Sequence, residues 1–308
     1  MTNYQGNGAY CYANGGSMLL ASIGETVSPS LLEVASGFSL GASLVRHDLL
    51  HFDQAMSSPD QALNHAFHHL GFQVTENVKG NDASMPIDEL TEALKNGPAL
   101  LGPLDMGMLT YLPNHPFLHG CDHYVLAIKI EGDRLLLHDP AGYPYVWFPI
   151  AQLENAWRAK SIEWSSGAYR YWTSPKRMEN ASDGVLAQRL LSFYEKIYRR
   201  HQNEYQSGSA IIYQKATDMQ RDLVSMAEKE HLRHFAFPVG ARRALDFSQF
   251  FQQSSPTFSS LKKAQAEIFG ECYTYASYED WRMVGETLEK LGGVEQEIER
   301  LFRENIES

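Results

Sequence analysis

A cysteine, a histidine and an aspartate in this chain fall where they would serve nucleophilic catalysis. Cys11 ends the stretch Gln5-Gly-Asn-Gly-Ala-Tyr-Cys11 and opens the run Tyr12-Ala-Asn-Gly-Gly-Ser-Met-Leu-Leu-Ala-Ser. Loop gives way there to helical periodicity. The thiol therefore sits at a predicted helix N-terminus, where unpaired N–H groups and the helix dipole favour the attacking thiolate. Such a nucleophile needs a base within hydrogen-bond reach and a group that orients the base. His123 begins one predicted strand, and His138-Asp139-Pro140 ends the next, across a turn at residues 131–133. Antiparallel pairing brings positions 123 and 139 to the same open end of the hairpin. Asp139 would there fix the tautomer of His123 and stabilise its imidazolium. His138 is one residue off and points to the other face. The implied chemistry is attack on a thioester or amide, giving an acyl-enzyme that water or an amine releases.

Other residues compete for attention. Cys11 read alone is also a compact core hydrophobe. His119-Gly-Cys121-Asp-His123 suggests zinc, because three ligand types share one face of an extended strand. It lacks paired ligand spacing and a fourth ligand, so no metal is expected. Cys121 is a rival thiol, but it precedes a strand and gains no helix dipole. His65, His68 and His69 read as one polar helix face. Gly37-Phe-Ser39-Leu-Gly41 matches the G-x-S-x-G elbow, yet a predicted helix precedes it and no clear helix follows, so Ser39 is set aside as a nucleophile. Arg199-Arg200, Arg242-Arg243 and Lys262-Lys263 would suit an acidic partner and equally a solvated helix surface. Phe235, Phe237, Phe247, Phe250, Phe251 and Phe258 read as core.

The elements that must position the catalytic residues follow from periodicity and punctuation. Helices are predicted from Cys11 to Gly24, at 31–36 after Ser28-Pro29, at 61–70 after Ser58-Pro59-Asp60, and at 86–95. Strands are predicted at 72–75, 98–104, 123–130, 134–139 and 143–148, with a loop rich in Met, Pro and His at 105–122. A helix at 150–158 and a strand at 169–172 close this part. Beyond Ser174-Pro175-Lys-Arg helical periodicity dominates: 184–202, 207–229, 240–253, 258–277 and 279–307, the last interrupted at Gly292-Gly293. The fold class expected is α+β, with an N-terminal helix on an antiparallel sheet at 1–175, followed by an all-α domain at 176–308.

The chain has 308 residues and a net charge of −11, which excludes nucleic acid as a general partner. Residues 1–175 hold 17 acids and 8 bases, a surface suited to a cationic substrate such as a polyamine or simply to solvation. No apolar run reaches membrane-spanning length, and the first residues lack the basic and apolar regions of a signal peptide. Three scattered cysteines cannot form a disulfide framework, which fits a cytoplasmic protein with a free Cys11.

Gln5 followed by Cys11 at a helix start, then His123 on one strand and Asp139-Pro140 ending the next, resembles the papain-like cysteine peptidase superfamily, most nearly its bacteriocin-leader-processing branch. That resemblance implies a papain-like fold for 1–175. It also gives Gln5 the part of oxyanion donor, with the Cys11 backbone N–H as the second. Gly24-Glu-Thr-Val-Ser-Pro-Ser-Leu-Leu, Ser36-Gly-Phe-Ser-Leu-Gly41, the His123 hairpin and the helical tail together resemble the butirosin-biosynthesis protein H family of acyltransferases. The family implies transfer of an acyl or aminoacyl group from a carrier-protein thioester to an amine. No cofactor is expected beyond a phosphopantetheine arm carrying the donor, and the partners implied are an acyl carrier protein and an amine acceptor. The family places a histidine directly before the cysteine, where this chain has Tyr10. A peptidase or amidase using the same triad, and a non-catalytic binding protein, are the alternatives. The sequence leaves the oligomeric state open, homo-oligomers included.

Overall fold

The computed structural model of the chain describes residues 3–6, 10–45, 49–54, 57–200 and 207–304. The chain divides into two compact units. One comprises Met1–Leu32 with Ser58–Asn180, the other Glu33–Ser57 with Ala181–Ser308. The single cut expected at 175 is corrected by this division, because an early segment belongs with the late helices.

The first unit is built around a six-stranded sheet in the order β3-β8-β4-β5-β6-β7, with every recorded pairing antiparallel. Its strands are β3 (Phe72–Lys79), β4 (Ala99–Asp105), β5 (Asp122–Glu131), β6 (Arg134–Asp139), β7 (Tyr143–Pro149) and β8 (Ala168–Arg177). The β5–β6 hairpin turns at Gly132-Asp133, where Gly132 has φ +59° and Glu131 pairs with Arg134. Two residues with a positive-φ glycine make the tight turn that matches strand twist. The first helix, α1 (Cys11–Ala21), is buried continuously from Tyr12 to Leu20. Gly15 permits this: a Cβ there would lie 2.4 Å from Leu100 of β4. Tyr12 of α1 meets Tyr124 of β5 edge to face, with ring centres 6.1 Å apart. A second apolar cluster joins Leu101, Val125, Ala127 and Leu137 of the sheet to Leu90 of a helix at Ile87–Leu94 and to Trp157 of another at Ile150–Arg158. Alternation along the strands sends successive side chains to opposite faces, so both faces of the central strands are covered. Pro59–His69 forms a further helix, begun by a Ser58–Gln61 capping box.

The second unit is helical apart from a short ribbon, β1 (Ser43–Val45) paired with β2 (Leu49–His51), which periodicity did not suggest. Residues 33–57 are woven into it by three kinds of contact. Phe52 packs on Phe269 and Phe237, with ring centres 4.5 and 6.2 Å away. The Tyr194 hydroxyl donates to the Val34 carbonyl at 2.6 Å, and Gly208 N–H donates to Ala42 O at 2.8 Å. Glu33, fully buried, pairs with Arg243 at 2.9 Å.

The helices of this unit are Asp183–Arg200, Gly208–Gln220, Met226–His231, Phe237–Phe251, Pro256–Ser277 and Trp281–Glu304. The helix expected over 207–229 is interrupted between Gln220 and Met226, where Asp222 has φ +54° and Ser225 caps the next segment. The reverse holds at Gly292-Gly293, where the last helix runs through. A Cβ on Gly292 would lie 2.9 Å from the Tyr213 ring, and one on Gly285 would lie 2.7 Å from the Ala216 carbonyl. Those glycines let the last helix approach Gly208–Gln220 closely, and that packing outweighs the roughly 1 kcal/mol per glycine that helix propensity costs. The expected ends at 201–202 and 305–307 lie outside the described residues. Among the described residues no helix is long and apolar enough to cross a membrane.

The α+β class followed by an all-α part is the architecture observed, with the N-terminal helix lying on the antiparallel sheet.

Candidate active site

Cys11 opens α1, so its backbone N–H is one of the first-turn groups that have no partner within their own helix. The helix starts abruptly because Tyr10 takes a left-handed conformation, φ 57° and ψ 49°, and its carbonyl accepts from the backbone N–H of Asn14 at 2.8 Å and from the Asn14 side chain at 3.0 Å. A left-handed tyrosine is strained by roughly 1–2 kcal/mol relative to the right-handed form. The strain places the thiol at the first turn of a helix that is buried from Tyr12 to Leu20. Residues 7–9, between Gln5 and Tyr10, lie outside the described residues.

His123 stands in β5 opposite Leu104, and Asp139 ends β6. The structure brings these two together. His123 Nε2 donates to Asp139 Oδ1 at 2.7 Å, with both side chains buried. Donation from Nε2 leaves Nδ1 as the ring nitrogen that could take a thiol proton, and the Cys11 sulfur is among the groups that act on this imidazole. Burial opposes a charge on His123, but the Asp139 carboxylate and the Cys11 sulfur outweigh it, and the imidazole is held well above its ordinary 6.5. Burial likewise opposes ionisation of Asp139, yet His123, Tyr111 and the Ala141 N–H together hold it below its ordinary 3.8. An imidazolium stabilised in this way is what a base needs to become after taking a thiol proton.

Asp139 is more heavily tied than the sequence indicated. Besides His123, its Oδ1 accepts from the Ala141 backbone at 2.6 Å, and its Oδ2 accepts from the Tyr111 hydroxyl at 2.6 Å. Tyr111 lies in the 105–122 excursion, where no periodicity marks it. Its ring meets Tyr143 and Phe148 edge-on at 6.0 and 5.5 Å, contacts across the fold that nothing near Tyr111 in the sequence marks. His138, fully buried, takes no part. Its ring packs between Tyr4 and Tyr145, and its Nδ1 accepts from the Tyr145 backbone at 3.2 Å.

Gln5 is fastened to the same strand end. Next to it, Tyr4 donates to the Asp139 carbonyl at 2.9 Å. On its other side, Gly6 approaches so closely that a Cβ would lie 2.6 Å from the Pro140 carbonyl. The Gln5 side-chain oxygen meets the hydroxyl of Ser17 of α1 at 3.1 Å, and that hydroxyl also reaches Val27 O at 2.5 Å. The one Ser17 proton goes to Val27 O, so the Gln5 amide lies against the Ser17 oxygen with at least one N–H left to donate. Alanine at Gly6 must push this segment off Pro140. Gly6→Ala is expected to lower turnover by roughly 10- to 100-fold through misplacement of Gln5, with a loss of about 1–3 kcal/mol in stability read by urea unfolding.

The remaining candidates resolve without joining the site. His119 is exposed, with Nδ1 3.5 Å from Asp105, and Cys121 lies on the turn before β5. Among the described residues no group of three His, Cys, Asp or Glu side chains is placed to hold a metal ion. Ser39 is buried and donates to Glu33, with no strand before it. Burial pushes the Cys272 thiol far up. Of the three dibasic pairs, Arg243 and Lys262 point inward, onto Glu33 and onto Gln265 at 2.8 Å, so they offer nothing to an acidic partner. Phe237, Phe247, Phe251 and Phe258 are fully buried, whereas Phe235 is exposed.

Comparison with known proteins places this chain. A crystal structure of a protein described as a C39-like peptidase from Bacillus anthracis covers 58 % of this chain and 96 % of its own, with a TM-score of 0.40 and 16 % identity. The pattern of the YobF C-terminal domain family matches residues 202–303. The uncharacterized protein YobF of Bacillus subtilis (strain 168) is 35 % identical over 297 residues, which cover 96 % of each chain. A likeness of that depth, running through the sheet unit and the helical unit alike, makes this chain a member of the YobF family.

Proposed function

We propose that the protein is a cysteine-dependent acyltransferase that forms an amide by way of an acyl group on Cys11. The observation that carries this reading is the buried Asp139–His123 pair at 2.7 Å, with the Cys11 sulfur, at a helix start, among the groups that raise the imidazole. The Cys11 sulfur attacks the carbonyl carbon of a thioester. The oxyanion that forms is met by the Cys11 N–H and by the Gln5 side-chain amide. His123, protonated, gives its proton to the departing thiol as the carbon–sulfur bond breaks. In the second half an amine attacks the acyl-enzyme, His123 takes the amine's proton, and collapse releases the amide and the Cys11 thiolate.

The resemblance of Gly24–Gly41 and the hairpin to the butirosin-biosynthesis protein H family supports a carrier-bound acyl or aminoacyl donor and an amine acceptor. No resident cofactor enters this chemistry. The acidic composition of residues 1–175 suits an acceptor carrying positive charge. Tyr10, directly before the nucleophile and 5 % exposed, is the residue that would set the acceptor's approach where the family has histidine.

The test is intact-mass detection of an adduct on Cys11 after incubation with a panel of acyl thioesters, followed by addition of amines. The expected result is a mass increase equal to the acyl group, discharged by an amine with formation of its amide. Discharge to the free acid alone across the whole amine panel makes the protein a hydrolase. No adduct with any thioester or amide overturns the enzymatic reading.

A further inference from the structure

The loop between β4 and β5 is closed at its base and carries one side chain into the site. Asp105, at the end of β4, accepts from the backbone N–H of Gly107 at 2.8 Å and of Gly120 at 3.1 Å, and Met106 N–H donates to Cys121 O at 2.9 Å. The same carboxylate takes the Ser161 hydroxyl. Both ends of the excursion are therefore pinned to one buried group. Farther along, Thr110 donates to Gln152 at 2.6 Å, and the next residue is Tyr111.

We propose that Tyr111 is a positioning residue for the reaction: its hydroxyl, donated to Oδ2 of Asp139, fixes the plane of that carboxylate and through it the ring of His123. This rests on the reading of Cys11, His123 and Asp139 as the catalytic group. Oδ1 of Asp139 is shared between His123 and the Ala141 N–H. Tyr111 is the partner recorded for Oδ2 among the described residues. A carboxylate held at one oxygen can swing about its Cβ–Cγ bond, because that torsion is broad. Held at both, it cannot swing without breaking a hydrogen bond of a carboxylate that has no solvent exposure. Burial first, and then the Asp139 charge, push the Tyr111 hydroxyl well above its ordinary 10, so it stays a donor across the working range. The Tyr143 and Phe148 rings fix where the hydroxyl points.

Tyr111→Phe deletes only the hydroxyl and keeps the ring contacts. The readouts are the pH profile of Cys11 alkylation by iodoacetamide, followed by intact mass and peptide mapping, and the unfolding midpoint at neutral pH. Without the Tyr111 donor, Asp139 protonates more readily, so the acid limb of the alkylation profile should move up by roughly half a pH unit or more. The plateau should fall on the order of tenfold as the His123 ring loosens. In an Asp139→Ala background the same substitution should add nothing to either readout, which a purely structural role would not produce. A Tyr111→Phe profile that superimposes on the wild type, or full additivity with Asp139→Ala, overturns the inference while leaving the catalytic reading intact. If wild-type Cys11 alkylates no faster than Cys121 and is indifferent to His123→Ala, the catalytic reading fails and this inference fails with it.

Discussion

With alanine in place of Cys11, the proposed acyl transfer should fall by roughly 10⁴- to 10⁶-fold, the loss expected when a covalent nucleophile is deleted from a catalytic group that acts as a unit. The fold should barely register the change. Cys11 is half-buried at the first position of α1, and that helix is held by Tyr12 to Leu20, Gly15 against Leu100 and Tyr12 against Tyr124. Alanine also keeps the helix start, since the backbone turn is made by Tyr10 and its carbonyl. The measurement pairs amide formation with thermal unfolding. A midpoint within a degree or two of wild type, alongside turnover at the uncatalysed rate, is the expected outcome. Retention of more than about one per cent of turnover would show that Cys11 is not the nucleophile. Serine in the same place tests whether a thiol is needed: its hydroxyl is a far weaker nucleophile than a thiol, so it should rescue little.

The second large effect is at Asp139. Asp139→Ala takes one acceptor from three donors at once, His123 Nε2, the Tyr111 hydroxyl and the Ala141 N–H, in a position with no solvent exposure. Breaking a buried pair by deleting one partner costs about 3–5 kcal/mol, because the other is left uncompensated. Turnover should fall by roughly 10⁴-fold, since His123 loses both its orientation and the charge that stabilises its protonated form.

The pH dependence carries the sign. Asp139 is held below its ordinary 3.8, so its stabilisation is present above that value and is lost as pH falls through the depressed folded value. His123 is held above its ordinary 6.5, so its stabilisation is full below 6.5 and is lost as pH rises through the raised folded value. The pair therefore contributes fully between about 3.8 and 6.5 and declines on both sides. In Asp139→Ala burial is left to act on His123 with little to oppose it, and the imidazole midpoint, followed by NMR of the ring, should drop. A midpoint unmoved by the substitution would mean that the carboxylate does not act on the histidine.

Much of the site was legible because its parts are tied to element boundaries. A cysteine where a loop yields to helix, a histidine at a strand start and an aspartate before a proline are positions that punctuation residues mark in a sequence. Gln5 was reached only through family resemblance: a glutamine in a glycine-rich loop carries no signal of its own, and what holds it, Tyr4 on Asp139 O and Gly6 on Pro140 O, is contact across the fold. Tyr111 was missed for the same reason. Its role depends on a long irregular excursion closing on Asp105, and no local pattern encodes that closure.

The misreadings in the helical part have a different cause. Glycine at 292 and 293 was weighed by propensity, but close packing on Tyr213 decided the outcome. The Ser43–Val45 and Leu49–His51 ribbon shows apolar residues that any core would accept, and the chain does not say locally which core takes them.

The assignment of residues 33–57 to the helical unit has a consequence for the order in which this protein can be made. Val34 is held by the Tyr194 hydroxyl from 160 residues farther along the chain, and Glu33 is neutralised by Arg243. Emerging from the ribosome, this segment has no core to enter until the sheet unit and most of the late helices have been synthesised. Phe52 and Leu50 must wait in water, and Glu33 keeps its hydration shell in the meantime. The length of the closed loop costs little at equilibrium, about 0.6 kcal/mol for each doubling. Its cost is in time: a helical bundle that would fold fast on local contacts is made to depend on a distant strand pair, and the unfinished chain exposes the very aromatic that will later seat against Phe269.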